Sequence, residues 1–183
     1  MTATAPTIIV ITGFMGAGKT TVAAALARLR GCSMIDLDSF IAARVGRGAR
    51  QIIETDGEPR FRQIETGALR AALDDAEDGL VIALGGGAWT LERNRQLVSE
   101  RKACAVWLDA PFDLCWRRIR RAVAARPLAR DEAQALELYR QRRQLYALAR
   151  LRIEADESSS PEELAAIIEA AINIKPARQA EDK

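Results

Sequence analysis

Short apolar runs alternate with amphipathic stretches along most of the chain. The first run, TIIVIT (residues 7–12), is rich in β-branched residues and has the length of a strand buried on both faces. Helical spacing then links Val22, Leu26 and Leu29, and it stops at Gly31, a residue typical of helix ends. The chain therefore opens with a predicted strand and a predicted helix.

The same alternation continues to the C-terminus. Four further runs predict strands: CSMID (32–36), GLVIAL (79–84), ACAVWLD (103–109) and LRIEA (151–155). Between and after them lie predicted helices. Two or three segments within 37–74 are broken by the glycines at 46, 48 and 57, and further helices start at Pro111, cover 131–149, and run from Pro161 to about residue 172. Strands alternating with helices predict an α/β fold of right-handed βαβ units, with the five strands in a parallel sheet.

The length of 183 residues fits one domain, residues 1–183. Two helical segments are expected to move relative to the sheet, one at 37–74 and one, a lid, at 117–135. The closing polar residues, about 175–183, are interpreted as a frayed tail.

Composition and charge exclude some classes of catalytic site and of binding partner. The net charge of +2 favours no polyanionic partner, and the absence of histidine excludes histidine-based triads and histidine metal ligands. Cys32, Cys104 and Cys115 lack pairing or metal-ligand spacing, which indicates reduced thiols. We find neither a secretory signal pattern nor a long uncharged apolar stretch, so a cytoplasmic protein is expected, without a membrane span.

The segment GFMGAGKTT (13–21) matches the pattern of a P-loop. Its glycines let the backbone turn tightly and aim N–H groups inward, and the predicted helix that follows adds its positive end. Lys19 is suited to the β- and γ-phosphates of a nucleotide, and Thr20 to Mg²⁺. The predicted nucleotide-binding residues here are Gly16, Ala17, Gly18, Lys19, Thr20 and Thr21.

Other motifs indicate which kind of P-loop protein this is. No N-K-x-D sequence for reading guanine is present. Asp109 ends the fourth predicted strand but is followed by Ala110 and Pro111 rather than a glutamate, so we interpret it as a strand-end or capping residue. A small-molecule kinase remains, whose lid must exclude water from the transferred group.

Two carboxylates follow the second predicted strand, in IDLDS. Asp36 and Asp38 would lie at the carboxyl edge of the sheet, where α/β folds bind ligands. One could hold Mg²⁺ near Thr20, and the other could orient or deprotonate an acceptor hydroxyl. The alternatives are structural: Asp38 or Ser39 could cap a helix that begins at Phe40, and Asp36 could simply end the strand.

An ordered set of motifs resembles the shikimate kinase family along nearly the whole chain: GFMGAGKTT, DLD, GEPRFRQIE, LGGGA, RPL and RRQLY. The resemblance implies a three-layer α/β/α fold, a five-stranded parallel sheet with helices on both sides, similar to that of nucleoside monophosphate kinases. A monomer is implied as well. It also implies transfer of the γ-phosphoryl group of MgATP to the 3-hydroxyl of shikimate, towards chorismate and the aromatic amino acids.

Site roles follow from that resemblance. Asp38 would bind substrate hydroxyls and act as base, while Asp36 would lie near the magnesium with Thr20. Arg62, oriented by Glu65, would grip the substrate carboxylate. The remaining predicted substrate-binding residues are Gly85, Gly86, Gly87 and Arg142.

Independently of the family, a small hydroxylated carboxylate needs planar bidentate arginines together with a carboxylate. The alternative for Arg62 is a surface residue paired with Glu58 or Glu65. For Arg142 the neighbouring Arg140 and Arg143 are competing candidates.

Six arginines crowd residues 116–130. The resemblance implies that Arg126 of the RPL motif is the lid arginine, which closes on the ATP phosphates. Arg126 and Lys19 would both be catalytic. Arg120 or Arg121 would lie beside the adenine. The other arginines are interpreted as solvated helix charges paired with nearby acids. RNA binding is the alternative, but interleaved aromatic residues are missing.

The sequence departs from the family in three places: a short segment from RPL to RRQLY, Gln144 in place of a frequent proline, and no arginine in DESSSP (156–161). Besides RNA binding, two rival functions stay open: a related kinase such as a gluconate kinase, and a non-catalytic ATP-binding module.

Overall fold

The computed structural model describes residues 8–76, 79–121 and 131–173. Five parallel strands form one sheet in the order β2-β3-β1-β4-β5, which confirms the predicted α/β fold. The strands are β1 (Ile8–Thr12), β2 (Ser33–Asp36), β3 (Leu80–Ala83), β4 (Cys104–Asp109) and β5 (Leu151–Glu154).

Helices cover both faces of this sheet. Those within the described ranges are α1 (Lys19–Arg30), α2 (Leu37–Val45), α3 (Ala49–Asp56), α4 (Glu58–Asp74), α5 (Glu92–Glu100), α6 (Phe112–Arg121), α7 (Glu132–Tyr146) and α8 (Pro161–Asn173), with a 3₁₀ turn at Ala88–Thr90. Glycines separate α2, α3 and α4, as the sequence predicted for 37–74.

Burial follows position in the sheet. Every residue of β1, β3 and β4 is buried, and all are apolar except Thr12 and Asp109 at the carboxyl ends of β1 and β4. The edge strands β2 and β5 are partly exposed, and their sequences are correspondingly mixed. Cys104 and Cys115 are buried free thiols and Cys32 is half-buried, as expected.

Strand order determines where a ligand can bind. From β1 the chain crosses through α1 to the edge strand β2, whereas from β3 it crosses through α5 to β4 on the other side. Right-handed crossovers in opposite directions place these helices on opposite faces of the sheet and open a crevice at the carboxyl ends of β1 and β3. The P-loop follows β1. Gly85, Gly86 and Gly87, which we call the glycine triplet, follow β3, so both segments reach this crevice.

The residue that caps α2 differs from the one in the structural alternative for the IDLDS segment. Asp36 ends the strand and caps α2 itself, accepting a hydrogen bond from the Ser39 N–H at 3.0 Å. Capping by Asp38 or Ser39 before a helix from Phe40 is therefore wrong. The helix begins earlier because Leu37, with no exposed surface, packs into the core in the first helical turn.

Some expectations fall outside the described ranges: residues 122–130 of the predicted lid, which include Arg126, and the tail from 175 to 183. Among the helices that are described, none has the length and apolar character needed to cross a membrane.

Gly13 allows β1 to turn into the P-loop, and its replacement tests that junction. Its φ is +144°, and a Cβ there would lie 2.5 Å from the Leu108 carbonyl oxygen. We expect Gly13→Ala to lower the free energy of unfolding by about 2–4 kcal/mol in urea titrations. Gly67→Ala is the matched control: Gly67 is exposed within α4 and a Cβ there meets nothing within 4 Å, so alanine should leave the free energy of unfolding unchanged or raise it by up to about 1 kcal/mol. Equal effects of the two substitutions would contradict this account.

Candidate active site

The P-loop forms a ring of backbone at the start of α1. Gly16 and Gly18 have φ values of +79° and +102°, which L side chains rarely adopt. Gly18 caps α1 without any side-chain hydrogen bond to the first helical N–H groups. These N–H groups and the positive end of the helix form a binding place for phosphate.

Two cations contact the P-loop backbone. Lys19, 9% exposed, donates from Nζ to the Phe14 carbonyl oxygen at 2.9 Å. Arg118 of α6 donates from Nη1 to the carbonyl oxygens of Gly16 (3.3 Å) and Ala17 (3.2 Å). Both charges therefore lie beside the place where phosphate groups would enter.

Arg118 was not singled out by the sequence analysis. The expectation that arginines around it are solvated and paired with acids holds for Arg117, which bonds Glu157 at 2.8 Å, but not for Arg118. Nothing in the sequence marks Arg118, because the P-loop carbonyl oxygens that it bonds lie 102 and 101 residues before it. Only the packing of α6 on the P-loop reveals that contact.

The predicted metal pair is in contact. The Thr20 hydroxyl donates to Asp36 Oδ2 at 2.7 Å. Burial opposes the charged form of Asp36, but hydrogen bonds from Thr20 and Ser39 and the charge of Lys19 outweigh it and lower the pKa of the carboxyl. An ionised carboxylate beside a hydroxyl offers the oxygen ligands that Mg²⁺ prefers next to a phosphate.

A groove of about 770 Å³ brings the predicted substrate residues together. Asp38, Arg62, Arg142 and the glycines at 85–87 all line it. A Cβ at Gly85 would lie 2.7 Å from Asp38 Oδ1, and one at Gly87 would lie 2.5 Å from Arg62 Nη2. Residues with side chains at these two positions would push the carboxylate and the guanidinium out of place.

Arg62 is fixed by two carboxylates. Its Nη1 donates to Glu65 at 2.9 Å, and its Nη2 donates to Glu58 at 2.9 Å. The desolvation of Arg62 is outweighed by these charges, so its pKa is raised. Burial raises the pKa of Glu65 more than Arg62 lowers it. The pairing alternative is thus correct about the contacts, but the side chain is 16% exposed and lines the groove rather than the outer surface.

Arg142 enters the groove from α7, and its Nη1 would lie 3.5 Å from a Cβ at Gly86. The helix is tied to the glycine triplet beside it. The Tyr146 hydroxyl donates to the Gly86 carbonyl oxygen at 2.5 Å, and Trp89 Nε1 donates to the Leu145 carbonyl oxygen at 3.1 Å. Burial raises the pKa of Tyr146 to about 12, so this hydroxyl keeps its proton.

The groove adjoins a second cavity of about 360 Å³, which we call the P-loop cavity. It is lined by Arg118 and by the P-loop residues Gly16, Gly18, Lys19, Thr20 and Thr21. Met15, Asp38, Gly85 and Gly86 line both cavities. An anion-binding P-loop next to a groove with a carboxylate and two arginines is the arrangement of a P-loop kinase for a small molecule.

Comparison with known proteins gives the family. A sequence model of the family described as shikimate kinase matches residues 15–173. Curated shikimate kinases from Cereibacter sphaeroides and Geobacter sulfurreducens are 36% and 41% identical, covering 92% and 80% of this chain and 83% and 80% of their own lengths. The chain belongs to the shikimate kinase family, whose members are ATP-dependent kinases.

A solved structure agrees over the same extent. The shikimate kinase from Acinetobacter baumannii in complex with shikimate is similar with a TM-score of 0.83 and 35% identity. The match covers 92% of this chain and 93% of that one.

The bond between Tyr146 and Gly86 gives a prediction about the glycine triplet. Tyr146→Phe removes a donor at a buried site and leaves the Gly86 carbonyl oxygen without it, so we expect a loss of about 1–3 kcal/mol in unfolding free energy. Thermal unfolding followed by circular dichroism measures it. Tyr139→Phe is the matched control, since its hydroxyl donates to the Ala110 carbonyl oxygen outside the triplet. If the glycine segment depends on Tyr146, only Tyr146→Phe should speed amide hydrogen exchange at Ala88 and Thr90, whose N–H groups donate to the Gly85 and Gly87 carbonyl oxygens.

Proposed function

We propose that this chain transfers the γ-phosphoryl group of MgATP to the 3-hydroxyl of shikimate, giving shikimate 3-phosphate and ADP. One observation carries the proposal: Asp38 lines both the P-loop cavity and the groove that holds Arg62 and Arg142. A hydroxyl beside Asp38 would face the phosphates on one side and belong to a molecule held by the arginines on the other.

At the nucleotide end, the N–H groups of the P-loop and the Lys19 ammonium would bind the β- and γ-phosphates. Lys19 releases the Phe14 carbonyl oxygen and turns to the phosphate, a stronger acceptor. Thr20 and Asp36 would hold Mg²⁺, which neutralises charge on the phosphates when bound.

At the acceptor end, Arg62 would pair with the substrate carboxylate. Glu65 is 1% exposed and holds the guanidinium in one orientation, which lowers the cost of binding. Arg142 adds a second positive charge, and Gly85, Gly86 and Gly87 let the ring approach the backbone. Asp38 would accept the hydroxyl proton as the new O–P bond forms.

We further propose Arg126 as the lid arginine that neutralises charge on the transferred group. Its support is the RPL motif, since the residue lies outside the described ranges. A monomer in the cytoplasm, without nucleic acid as a partner, is the state we expect.

The first test is ADP release by the purified chain with MgATP, with and without shikimate, and with gluconate as the rival acceptor. We expect turnover only with shikimate. Turnover with gluconate would favour the related kinase, and ATP binding without any turnover would favour the non-catalytic module. Retention on RNA that falls steeply with salt would favour nucleic-acid binding.

Arg62→Ala tests the carboxylate contact. We expect KM for shikimate to rise about 100-fold or more, because a charged hydrogen-bonding partner is lost at a half-buried site, while KM for ATP changes little. Arg60→Ala is the matched control: it lies on the same helix, is exposed, and contacts Gln63 instead of the groove. An unchanged KM for shikimate in Arg62→Ala would place the substrate carboxylate elsewhere.

Asp38→Asn tests the base. The amide keeps the size but cannot take the proton, so kcat should fall about 10²–10⁴-fold with the melting temperature preserved. Asp113→Asn, at an exposed position in α6, should leave kcat unchanged. Full activity of Asp38→Asn would remove this residue from the mechanism.

A further inference from the structure

A buried carboxylate outside the proposed mechanism holds two arginines. Asp109 is the last residue of β4 and is 6% exposed. Its Oδ2 accepts hydrogen bonds from Arg143 Nη2 and Arg152 Nε, both at 2.8 Å. We name Asp109, Arg143 and Arg152 the β4 charge cluster. Sequence alone indicated a strand-end residue at 109, which is correct, but gave no partner for it.

The β4 charge cluster grips one face of α7. Arg143 also donates to the Tyr139 hydroxyl at 3.0 Å, and this hydroxyl donates to the Ala110 carbonyl oxygen at 3.0 Å. The guanidinium carbon of Arg143 lies 5.4 Å from the centre of the Trp107 ring. Tyr139, Arg143 and Tyr146 have the spacing of one helical stripe, and each bonds to the carboxyl end of the sheet or to the glycine triplet.

Arg142 is the residue before Arg143, so the two side chains point about 100° apart around the helix axis. While Arg143 bonds Asp109, Arg142 lies along the groove with Leu138 and Gln141. A rotation of α7 by a fraction of a turn would move Arg142 off the groove. The bond from Arg143 to Asp109 opposes that rotation.

We propose that Asp109 is a positioning residue for the acceptor site: through Arg143 it sets the rotation of α7 and thereby holds Arg142 in the groove. This inference rests on the proposed function. Asp109 does not touch substrate and acts only through the helix.

The two arginines of the cluster have different roles in this proposal. Arg143 belongs to α7, whereas Arg152 belongs to the edge strand β5, where it also bonds Glu154 at 3.0 Å. Arg152 therefore balances the charge of Asp109 without any hold on α7. Loss of Arg143 should affect shikimate binding, while loss of Arg152 should affect stability alone.

The experiment compares Asp109→Asn, Arg143→Met and Arg152→Met in the full chain. Methionine keeps an unbranched side chain on the Trp107 ring but removes the charge and the hydrogen bonds. Glu169→Gln is a further control, because it weakens an ion pair at 2.6 Å between α8 and α1, away from α7. Melting temperature, kcat, and KM for shikimate and for ATP are measured for each.

Arg143→Met and Asp109→Asn should raise KM for shikimate about tenfold through misplacement of Arg142, with KM for ATP unchanged. Arg152→Met and Glu169→Gln should leave both KM values within about twofold, whatever their melting temperatures. In an Arg142→Ala background, Arg143→Met should add less than about twofold to KM for shikimate, because the residue it positions is gone.

Equal rises in KM for both substrates, additive effects with Arg142→Ala, or an unchanged KM in Arg143→Met would overturn the positioning role. Should Asp109→Asn fail to fold, Arg143→Met decides the question, since Asp109 keeps its Arg152 partner in that variant. Wild-type protein without shikimate-dependent turnover would instead overturn the proposed function, which separates the two failures.

Discussion

The close approach of two side chains to backbone without Cβ atoms determines the geometry of the acceptor groove. Asp38 reaches Gly85 and Arg62 reaches Gly87 at distances that a Cβ would occupy. The glycine triplet follows β3, next to β1 in the sheet, so it also borders the P-loop cavity through Gly85 and Gly86. The P-loop cavity and the groove can therefore share a wall, as direct transfer of a phosphoryl group requires.

In the proposed function, an anionic substrate would replace contacts that the charged residues of the groove already make. Arg62 already bonds two carboxylates, one buried and one exposed. The buried Glu65 fixes the guanidinium, whereas the exposed Glu58 can turn into water and leave its place to a substrate carboxylate. Lys19 and the Phe14 carbonyl oxygen form a similar provisional contact in the P-loop. In both places the cation is already oriented when its ligand arrives, so binding requires little rearrangement.

Much of the fold was predictable because its signals are local. Buried strands read as continuous apolar runs, and glycines marked the ends of α1 and the breaks between α2, α3 and α4. The boundary of α2 was not predictable in this way, because the burial of Leu37 decides it and burial depends on the whole core.

The candidate site, too, was predictable where its signals are local and not where they depend on packing. Motifs located the P-loop, Asp38, Arg62, the glycine triplet and Arg142 in the sequence, and the structure brings them to adjoining cavities. The contacts of Arg118 and the partners of Asp109 could not be predicted from the sequence, since they join residues 34 to 102 positions apart. Such pairings depend on how helices pack, which a single sequence does not state.

The most direct measurement is the structure of the product, by ³¹P and ¹H nuclear magnetic resonance, after incubation of the chain with MgATP and shikimate. The account predicts a phosphate ester on the 3-hydroxyl, the oxygen that Asp38 would present to the P-loop. A phosphate on another hydroxyl, or inorganic phosphate with shikimate unchanged, would contradict it.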